Sequence, residues 1–486
     1  MDHITGPSYD TVFIGGRFVP AHGTDTLTIV DSTTEQPAGS VPAADAADID
    51  AAVAAARAAF DSPDGWRALT GAQRAAAMNR FADELDARKE AIAAIVSSQN
   101  GMPLAFSSQY EAGYPGAVLR YYASLATCVD DLEHRPGLMG MGDTLVQRSP
   151  IGVVAAIVPW NFPQAIAAWK LGPALAAGCT VVLKPSPQTA LDAYLVAEAA
   201  QAADLPPGTV NIVPALGDAT ARLVAHPGVD KVTFTGSTEV GRTIGEVCGR
   251  LLRPVTLELG GKSAALFLDD VDLDLSVIGE ALTGATMFNN GQTCWLNSRI
   301  LAPRSRYDEV VDTIAALAGS LPVGDPLDPG TVVGPMATSA HRDHVERYIA
   351  RGRADGARIV VGGGRPAGLD TGWFVEPTVL ADVDNGSAIA QEEIFGPVLS
   401  VIAYDDEDDA VRIANDSQYG LGGTVWTSNP ERGQAIAQRV RTGTVGINRY
   451  LPDLAAPFGG VKASGLGREL GPEALAGHLE VKSIYI

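Results

Sequence analysis

The sequence predicts an α/β protein with two doubly wound sheets, because strands and helices alternate twice along the chain. The first alternation begins at residue 151, and the second begins near residue 264 and continues to about residue 448. Short apolar strands that alternate with helices form parallel sheets covered by helices on both faces. Such sheets bind ligands at the carboxyl ends of their strands, so functional residues are expected there.

Hydrophobic patterning defines the elements of the first alternation. Apolar runs of strand length occupy residues 151–159, 180–185, 209–214, 231–236 and 255–261. Helices are predicted between these runs, at 163–178, 189–203, 218–226 and 237–249, the first of them closed by Gly178. Upstream, residues 11–20 predict a β-hairpin that turns at Gly15 and Gly16, and Ala-rich segments at 45–60 and 71–97 predict two helices.

The second alternation follows the same pattern. A strand at 264–270 precedes a long helix that leads towards Cys294, and a strand at 298–303 precedes a helix at 307–319. Further strand-like runs continue from residue 358. The acidic run 405–409 predicts the solvated start of a helix.

Composition and charge exclude several classes of function. The chain has 486 residues, 46% hydrophobic and 19% charged, which suits about three globular units of roughly 150 residues each. Its net charge of −22 disfavours nucleic acid and anionic membranes as partners. No apolar run reaches the roughly 18 residues of a membrane span, and the N-terminus lacks a signal-peptide pattern. We therefore expect a cytoplasmic protein with no nucleic-acid or membrane partner.

The four cysteines are scattered and show neither a CxxC pair nor the spacing of a zinc site. We therefore expect no disulfide framework and no metal site. Cys294 differs from the others because polar residues surround it, in the segment NNGQTCWLNS. A free cysteine is usually an inert core residue, whereas a nucleophilic thiol needs a polar or electropositive setting. Both interpretations of Cys294 stay open on the residues alone.

Two further motifs carry groups that suit acid–base and oxyanion chemistry. Glu258 ends an apolar strand in LELGGKS, and burial there would raise its pKa towards that of a general base. Asn161 lies between two prolines in PWNFP, and a rigidly held amide can donate to a developing oxyanion. The alternatives are a surface glutamate and an asparagine that caps the next helix.

Three motifs suit contact with a dinucleotide. In FTGSTEVG, Gly236 ends a strand and Ser237 starts a helix whose first amides could hold a pyrophosphate. Lys184 in LKPS could reach a ribose or a phosphate. Glu393 and Phe395 in QEEIFGPV combine an acid for ribose hydroxyls with an aromatic ring for a nicotinamide. Helix capping and a solvent-facing lysine are the corresponding alternatives.

Together and in this order, the motifs resemble those of the aldehyde dehydrogenase superfamily. They are PWNFP, LKPS, FTGSTEVG, LELGGKS, NNGQTC, EEIFGP and PFGGVKASGLGRELG, and the resemblance runs from about residue 10 to the C-terminus. It implies a Rossmann-type cofactor domain (1–129 and 149–258), a catalytic domain (259–450) and a small β oligomerisation element (130–148 and 466–486). By the same resemblance, the protein pairs into a homodimer or a homotetramer.

The resemblance also implies a role for each matched residue. Cys294 is the nucleophile, Glu258 is the general base, and Asn161 forms the oxyanion hole with the Cys294 backbone N–H. Lys170 and Glu469 match positions of a proton path. The residues implied in cofactor binding are Trp160, Lys184, Ser186, Gly236, Ser237, Leu259, Glu393 and Phe395.

The implied reaction is the NAD(P)-dependent oxidation of an aldehyde through a thiohemiacetal and a thioester, which Glu258 helps water to hydrolyse. Pro187 stands where many NAD-preferring members carry an acid, so NAD is favoured and NADP stays open. The implied aldehyde tunnel is apolar and aromatic and favours an uncharged aldehyde of medium or large size, unless Arg449 points inward. Its predicted lining residues are Phe162, Ile166, Trp169, Met287, Phe288, Trp295 and Phe458.

Three other functions are weaker interpretations. A CoA-acylating semialdehyde dehydrogenase would have no need for Glu258 to activate water. An esterase built on Cys294 and Glu258 would leave the nucleotide motifs idle. A non-catalytic binding protein would not need the complete set of Cys294, Glu258 and Asn161.

Overall fold

The computed structural model describes residues 6–130, 132–140 and 142–486. Within them the strands are, in chain order, β1 (Thr11–Ile14), β2 (Arg17–Pro20), β3 (Thr26–Val30), β4 (Pro37–Pro42), β5 (Glu133–Arg135), β6 (Thr144–Pro150), β7 (Val153–Ile157), β8 (Thr180–Lys184), β9 (Val210–Ile212), β10 (Lys231–Thr235), β11 (Val255–Glu258), β12 (Ala264–Phe267), β13 (Arg299–Pro303), β14 (Arg358–Val361), β15 (Thr378–Ala381), β16 (Val398–Tyr404), β17 (Gly423–Trp426), β18 (Gly446–Ile447), β19 (Gly465–Leu466) and β20 (Leu479–Tyr485).

The α-helices of the same residues are α1 (Ala46–Asp61), α2 (Gly71–Asp86), α3 (Lys89–Asn100), α4 (Leu104–Phe106), α5 (Tyr114–Leu125), α6 (Pro163–Ala177), α7 (Asp192–Ala202), α8 (Gly217–Ala225), α9 (Thr238–Leu251), α10 (Leu275–Thr286), α11 (Tyr307–Ser320), α12 (Ser339–Ala354), α13 (Ala388–Gln391), α14 (Glu407–Asn415), α15 (Pro430–Ala437) and α16 (Gly471–Ala476). A π-helical segment, Ser107–Gly113, joins α4 to α5. None of these helices combines the length and the apolar character needed to cross a membrane.

Two large sheets organise the molecule, as the two alternations predicted. The first has the order β19-β11-β10-β7-β8-β9-β1-β2, and its five central strands are parallel. The second has the order β14-β15-β16-β13-β12-β17-β18 and is parallel except at β14. Every residue of β7, β8 and β10 is buried, which explains why these strands are continuous apolar runs.

Two smaller sheets complete the architecture. β20 pairs with β6 along its whole length, β6 pairs with β5, and β3 forms a hairpin with β4. The predicted hairpin at Gly15 and Gly16 is present, because β1 and β2 pair in register with Ile14 opposite Arg17. The first sheet takes its strands from 11–20, 153–258 and 465–466, and the second from 264–447. The domain limits given above stay a prediction.

The single helix predicted over 71–97 is wrong, because the chain forms two helices there. α2 ends at Asp86 and α3 begins at Lys89. Arg88 leaves helical geometry, with φ −106° and ψ 4°, although the break contains no glycine or proline. Its guanidinium donates to the Glu84 carbonyl and carboxylate at 2.7 Å each. Arg88 Nε also lies 3.7 Å from a carboxylate oxygen of Glu198 in α7, so a contact from a distant part of the chain reaches the break.

The carboxyl ends of four neighbouring strands bring the predicted motifs to one edge of the first sheet. Ile157 of β7 lies opposite Lys184 of β8, and Thr235 of β10 lies opposite Glu258 of β11. Because parallel strands end at a common edge, the loops that follow them converge. The loops after these strands hold PWNFP, LKPS, FTGSTEVG and LELGGKS.

Candidate active site

A strained turn presents Cys294. Asn289, Asn290 and Gly291 have φ values of 50°, 60° and 78°, a run of three left-handed residues that only two residues separate from the cysteine. Side chains lock this turn: Asn290 Nδ2 donates to the Gly101 carbonyl at 2.8 Å, and Asn290 Oδ1 accepts from the Gly334 N–H at 2.7 Å. Asparagine tolerates left-handed geometry better than most residues do, so NNG suits this turn. The turn leaves Cys294 half-buried.

The two glycines of LELGGKS allow the end of β11 to approach the cysteine. A Cβ on Gly261 would lie 2.2 Å from the Cys294 carbonyl oxygen, and a Cβ on Gly260 would lie 2.3 Å from Glu393 Oε2. The Gly261 N–H also donates to Glu393 Oε1 at 2.9 Å. A side chain at Gly261 would therefore collide with backbone, whereas one at Gly260 would require the end of the Glu393 side chain to move.

Burial keeps the Cys294 side chain a neutral thiol in the resting protein. Desolvation raises the pKa of the Cys294 thiol far above its usual range, and the Glu393 and Glu258 carboxylates raise it further. A thiol is a poor nucleophile, so the cysteine needs a base at the moment of attack.

Glu258 is the nearest candidate for that base. It is buried and has no hydrogen-bond partner for either carboxyl oxygen among the described residues. Desolvation raises the pKa of Glu258 well above its usual range, and the neighbouring Glu469 adds to the rise. A carboxyl with a raised pKa is a stronger base once it is ionised.

A buried ion pair lies behind Glu258. Lys170 Nζ lies 2.5 Å from Glu469 Oε1 and donates to Thr235 Oγ1 at 2.8 Å and to Thr233 Oγ1 at 3.2 Å. Lys170 comes from α6, whereas Glu469 comes from the loop between β19 and α16. The motif search did not identify Thr233 or Thr235. In the sequence they are marked only by a polar residue at every second position of the buried strand KVTFT.

Asn161 lies beside the cysteine turn. Its Nδ2 donates to the Gln292 carbonyl at 2.9 Å, and its backbone carbonyl accepts from Asn289 Nδ2 at 3.0 Å and from Asn100 Nδ2 at 3.3 Å. The Asn161 side chain is buried and held by the loop that precedes Cys294. An amide nitrogen carries two hydrogens, so one donor stays available for an oxyanion.

A cavity of about 350 Å³ opens on one side of Cys294. Six of the seven residues predicted for an aldehyde tunnel line it: Phe162, Ile166, Trp169, Phe288, Trp295 and Phe458. Met287 and Arg449 are not among its lining residues. Leu451 and Pro452 line it from the segment 449–456, which the family resemblance implies as a substrate-entrance loop. The motifs did not indicate the other wall residues, namely Gln109, Tyr110, Gly113, Tyr114 and Ala165.

Ring contacts shape the walls of this cavity. Phe162 stacks on Phe288 with ring centroids 5.7 Å apart, and Trp169 meets Phe458 at 5.1 Å. Trp169 Nε1 donates to the Tyr114 hydroxyl at 3.3 Å. The indole N–H is thereby satisfied, so the wall facing a ligand is largely apolar.

A second cleft, of about 290 Å³, opens on the other side of Cys294. The predicted cofactor residues Trp160, Gly236, Ser237, Leu259, Glu393 and Phe395 line it together with Pro159, Asn161, Gly260 and His344. Cys294, Glu258 and Thr235 line both this cleft and the apolar cavity. The Cys294 sulfur therefore lies between an apolar cavity and a second cleft, which adds the polar side chains of Ser237, His344 and Glu393.

Lys184 and Ser186 lie apart from the residues that line the cleft, although they follow β8 at the same sheet edge. Burial lowers the pKa of the Lys184 ammonium to about 8. Ser186 Oγ lies 2.5 Å from Gln188 Oε1. Their predicted part in cofactor binding stays a prediction.

Glu393 and Phe395 face the cleft from the second sheet. Desolvation raises the pKa of Glu393 to about 7, against the lowering effect of the Gly261 N–H bond. The Phe395 ring lies edge-on to Trp160 at 5.4 Å, and the Phe395 carbonyl contacts His341 Nε2 at 2.6 Å. His341 is a further residue that sequence motifs did not indicate.

Comparison with known proteins agrees with this geometry. The model of the aldehyde dehydrogenase family matches residues 18–484. The chain belongs to the aldehyde dehydrogenase family. The recognition from seven motifs is thereby confirmed, and at the level of the family the chain is an enzyme that oxidises aldehydes.

Similar members of the aldehyde dehydrogenase family include one named relative and two solved structures. A geranial dehydrogenase from Castellaniella defragrans is 56% identical over 475 residues, with 98% of each chain covered. A Mycobacterium tuberculosis aldehyde dehydrogenase complexed with NAD+ has a TM-score of 0.95 and 46% identity, with 99% of each chain covered. A mutant of aldehyde dehydrogenase C from Pseudomonas syringae, complexed with NAD+ and octanal, has a TM-score of 0.91 and 37% identity, covering 98% of this chain and 96% of that one. The predicted fold class is therefore confirmed.

Proposed function

We propose that this protein oxidises an uncharged, apolar aldehyde of medium or large size to the carboxylic acid, with NAD as the hydride acceptor and Cys294 as the nucleophile. The observation that carries the proposal is that Cys294 lines two chambers at once, an apolar cavity and a second cleft whose lining includes Ser237 and Glu393. A reaction that joins an aldehyde to a thiol and passes a hydride onward needs both chambers to meet at the sulfur.

The residues of the second cleft fit a dinucleotide. Trp160 and Phe395 offer aromatic faces, and Glu393 offers a carboxylate to ribose hydroxyls. The N-terminus of α9 begins beyond Ser237, where free backbone amides favour a pyrophosphate. When bound, the nicotinamide ring accepts the hydride. The two solved relatives named above were crystallised with NAD+, which supports NAD over NADP here despite Pro187.

The first chemical step joins the sulfur to the carbonyl carbon. Glu258 removes the thiol proton of Cys294 as the sulfur attacks, and the carbonyl oxygen becomes an oxyanion. Asn161 Nδ2 and the Cys294 backbone N–H donate to that oxygen. The thiohemiacetal then loses its hydride and becomes a thioester on Cys294. Burial has raised the pKa of the Cys294 thiol, and this route suits such a thiol because the thiolate need not be present before the attack.

The second step releases the acid. Glu258 removes a proton from water, the hydroxide attacks the thioester carbon, and the sulfur leaves and is reprotonated. Glu469, which is paired with the Lys170 ammonium, is the next carboxylate beyond Glu258 and can receive the proton that Glu258 carries away. Overall, aldehyde, water and NAD+ give acid, NADH and one proton.

The substrate class follows from the lining of the cavity. Aromatic and aliphatic side chains dominate its walls, so transfer of an apolar chain from water is favourable there. An anionic aldehyde would lie near Glu258 and Glu469 without a cation that lines the cavity to pair with it. The relative named as a geranial dehydrogenase and the octanal complex both support an apolar chain.

A spectrophotometric screen tests the proposal. Purified protein is offered NAD or NADP with geranial, octanal, propanal and a carboxylated semialdehyde, and the reduced nicotinamide is measured by absorbance. We expect kcat/KM to be highest for the long apolar aldehydes with NAD, and we expect no activity from Cys294→Ala. Preference for the carboxylated aldehyde would refute the substrate class.

The same screen separates the other functions. Strict dependence on added CoA would identify an acyl-CoA product, and ester cleavage without cofactor reduction would identify a thiol esterase. An inactive protein against every aldehyde would revive the non-catalytic interpretation. Among these, only CoA-independent cofactor reduction agrees with the proposal.

We also propose a homodimer or a homotetramer that works in the cytoplasm. β20 is an edge strand whose residues beyond Leu479 are all exposed, including Val481 at 66% and Tyr485 at 83%. An exposed apolar edge strand favours pairing with another chain. A reducing compartment would keep Cys294 as a thiol. Light scattering should give a mass of two or four chains, and the monomer mass across concentrations would refute the assembly.

A further inference from the structure

The wall of the apolar cavity contains an unusual helix. Residues Ser107–Gly113 form a π-helix, and Gln109, Tyr110 and Gly113 of this segment line the cavity. π-helical turns are rare and are concentrated at functional sites. The segment packs beside α6, which supplies Phe162 from its cap and Ile166 from its first turns to the same cavity.

One side chain joins these two walls. Glu111, in the middle of the π-helix, is 0% exposed, and its Oε2 accepts from the Gln164 N–H at 2.7 Å. Gln164 is the second residue of α6, and Phe162 makes no side-chain cap at this helix start. Glu111 therefore supplies, from another helix, the acceptor that an N-cap residue normally provides.

The contact belongs to a buried polar network. Gln164 Nε2 donates to Asp192 Oδ2 at 2.5 Å, and Gln99 Nε2 donates to Asp192 Oδ1 at 2.5 Å. The neighbour of Gln99, Asn100, donates to the Asn161 carbonyl at 3.3 Å. Desolvation raises the pKa of Asp192 to about 7 and that of Glu111 well above its usual range. Burial of polar groups costs free energy unless they are paired, so this network indicates a structural or functional role.

We infer that Glu111 is a positioning residue that fixes the start of α6, and with it Asn161, against the π-helical wall of the aldehyde cavity. Asn161 precedes Gln164 by three residues, so a shift at the helix start moves the oxyanion donor. The role of Asn161 rests on the function proposed above, whereas the anchoring of α6 does not. Glu111 thereby links the position of the π-helical wall to the position of Asn161.

Three variants test this inference. Glu111→Ala removes the acceptor, Glu111→Gln keeps a carbonyl acceptor without the charge, and Glu111→Asp keeps the charge one methylene short. We expect kcat to fall at least about tenfold in the alanine variant, because small misplacements of catalytic groups are costly. The KM for NAD should stay unchanged. The glutamine variant should recover kcat to within about threefold, since Gln164 keeps a partner.

Amide hydrogen exchange at residues 163–166 gives a readout that needs no catalysis. Glu111→Ala should speed exchange there, while Glu90→Ala, which removes an exposed glutamate of α3, should leave both exchange and kcat unchanged. If Glu111→Ala does not fold, Glu111→Asp should still lower kcat and speed exchange relative to the wild type. The wild type could fail to oxidise any aldehyde while the Glu111 variants still exchange faster. That combination would refute the proposed function and leave the anchoring of α6 by Glu111 intact.

Either of two results overturns the inference. A folded Glu111→Ala or Glu111→Asp protein with wild-type kcat and wild-type exchange would show that the contact positions nothing. A glutamine variant as impaired as the alanine variant would show that the charge, and not the acceptor, matters.

Discussion

Lys170 Nζ lies 2.5 Å from Glu469 Oε1, in an ion pair whose side chains are 0% and 4% exposed. The two residues are 299 positions apart in the sequence, and Glu469 also lines the apolar cavity beside Glu258. Negative charge on Glu469 raises the pKa of Glu258, and positive charge on Lys170 lowers it. Glu469 has the larger effect of the two, so the pair adds to the rise in the pKa of Glu258 that desolvation causes.

Replacement of Lys170 by methionine should destabilise the protein and shift its pH profile. Loss of one partner of a buried pair typically costs about 3–5 kcal/mol, measurable by urea unfolding. The ascending limb of the kcat profile should move to higher pH, because Glu258 loses a stabilising cation. Arg250→Met is the control: its exposed pair with Glu246 should contribute less than about 1 kcal/mol. Equal losses in the two variants would contradict the prediction.

Glu258→Gln should slow both steps that use a base. Attack by the Cys294 thiol and hydrolysis of the thioester should each be slower, as measured by the rate of NADH formation in the first turnover and by the loss of the acyl group from Cys294 in mass spectrometry. Steady-state kcat should fall by about 10²–10⁴-fold, the usual contribution of a general base. A variant that hydrolyses the thioester at the wild-type rate would exclude Glu258 from this role.

The Glu258 carboxyl should also make the free energy of unfolding fall as pH rises. Its pKa is raised in the folded protein, so its contribution to folding is fully present below the unfolded-state pKa of about 4.3. The contribution is lost as pH rises through the raised value. Glu258→Gln should therefore gain stability relative to the wild type as pH rises, in urea unfolding at several pH values. A constant difference would contradict the raised pKa.

Asn161→Ala should lower kcat by about 10²–10³-fold, the effect of removing one oxyanion donor. The KM for the aldehyde should change less, because the donor is used mainly in the transition state. Alkylation of Cys294 by iodoacetamide serves as a control for the fold of the turn and should proceed at a rate close to that of the wild type. An unchanged kcat would place the oxyanion elsewhere.

Gly261→Ala should damage the site sterically. The added Cβ would lie 2.2 Å from the Cys294 carbonyl oxygen, so the cysteine turn must shift. We expect a loss of kcat of at least about tenfold, and destabilisation on the order of 1–3 kcal/mol. Gly249→Ala is the matched control, since it lies in α9 with open space at the Cβ position and should be neutral or stabilising. A Gly261→Ala protein as active as this control would refute the close approach.

The positions of many predicted site residues follow from the local sequence pattern of strands, helices and turns. Alternating strands and helices predicted the two sheets, and parallel strands end at a common edge, so Asn161, Ser237 and Glu258 had to converge. The left-handed turn at Asn289, Asn290 and Gly291 was not among the predictions, which gave only a polar setting for Cys294.

Other features depend on residues that are distant in the sequence. The cavity walls at Tyr110 and Tyr114, the pairing of Lys170 with Glu469, and the cap that Glu111 provides to α6 join segments with no shared motif. The break between α2 and α3 belongs to the same class, since no breaker residue marks it.

The sequence by itself determined the family, the order of the elements and which residue types stand at each strand end. The apolar strand also indicated a raised pKa for Glu258. Only the tertiary structure decided that the pKa of the Cys294 thiol is raised as well, by desolvation and by the Glu393 and Glu258 carboxylates. The physical reason is that backbone geometry responds to near neighbours along the chain. Desolvation and cavity shape are set instead by whatever the fold packs around a group, whichever part of the chain it comes from.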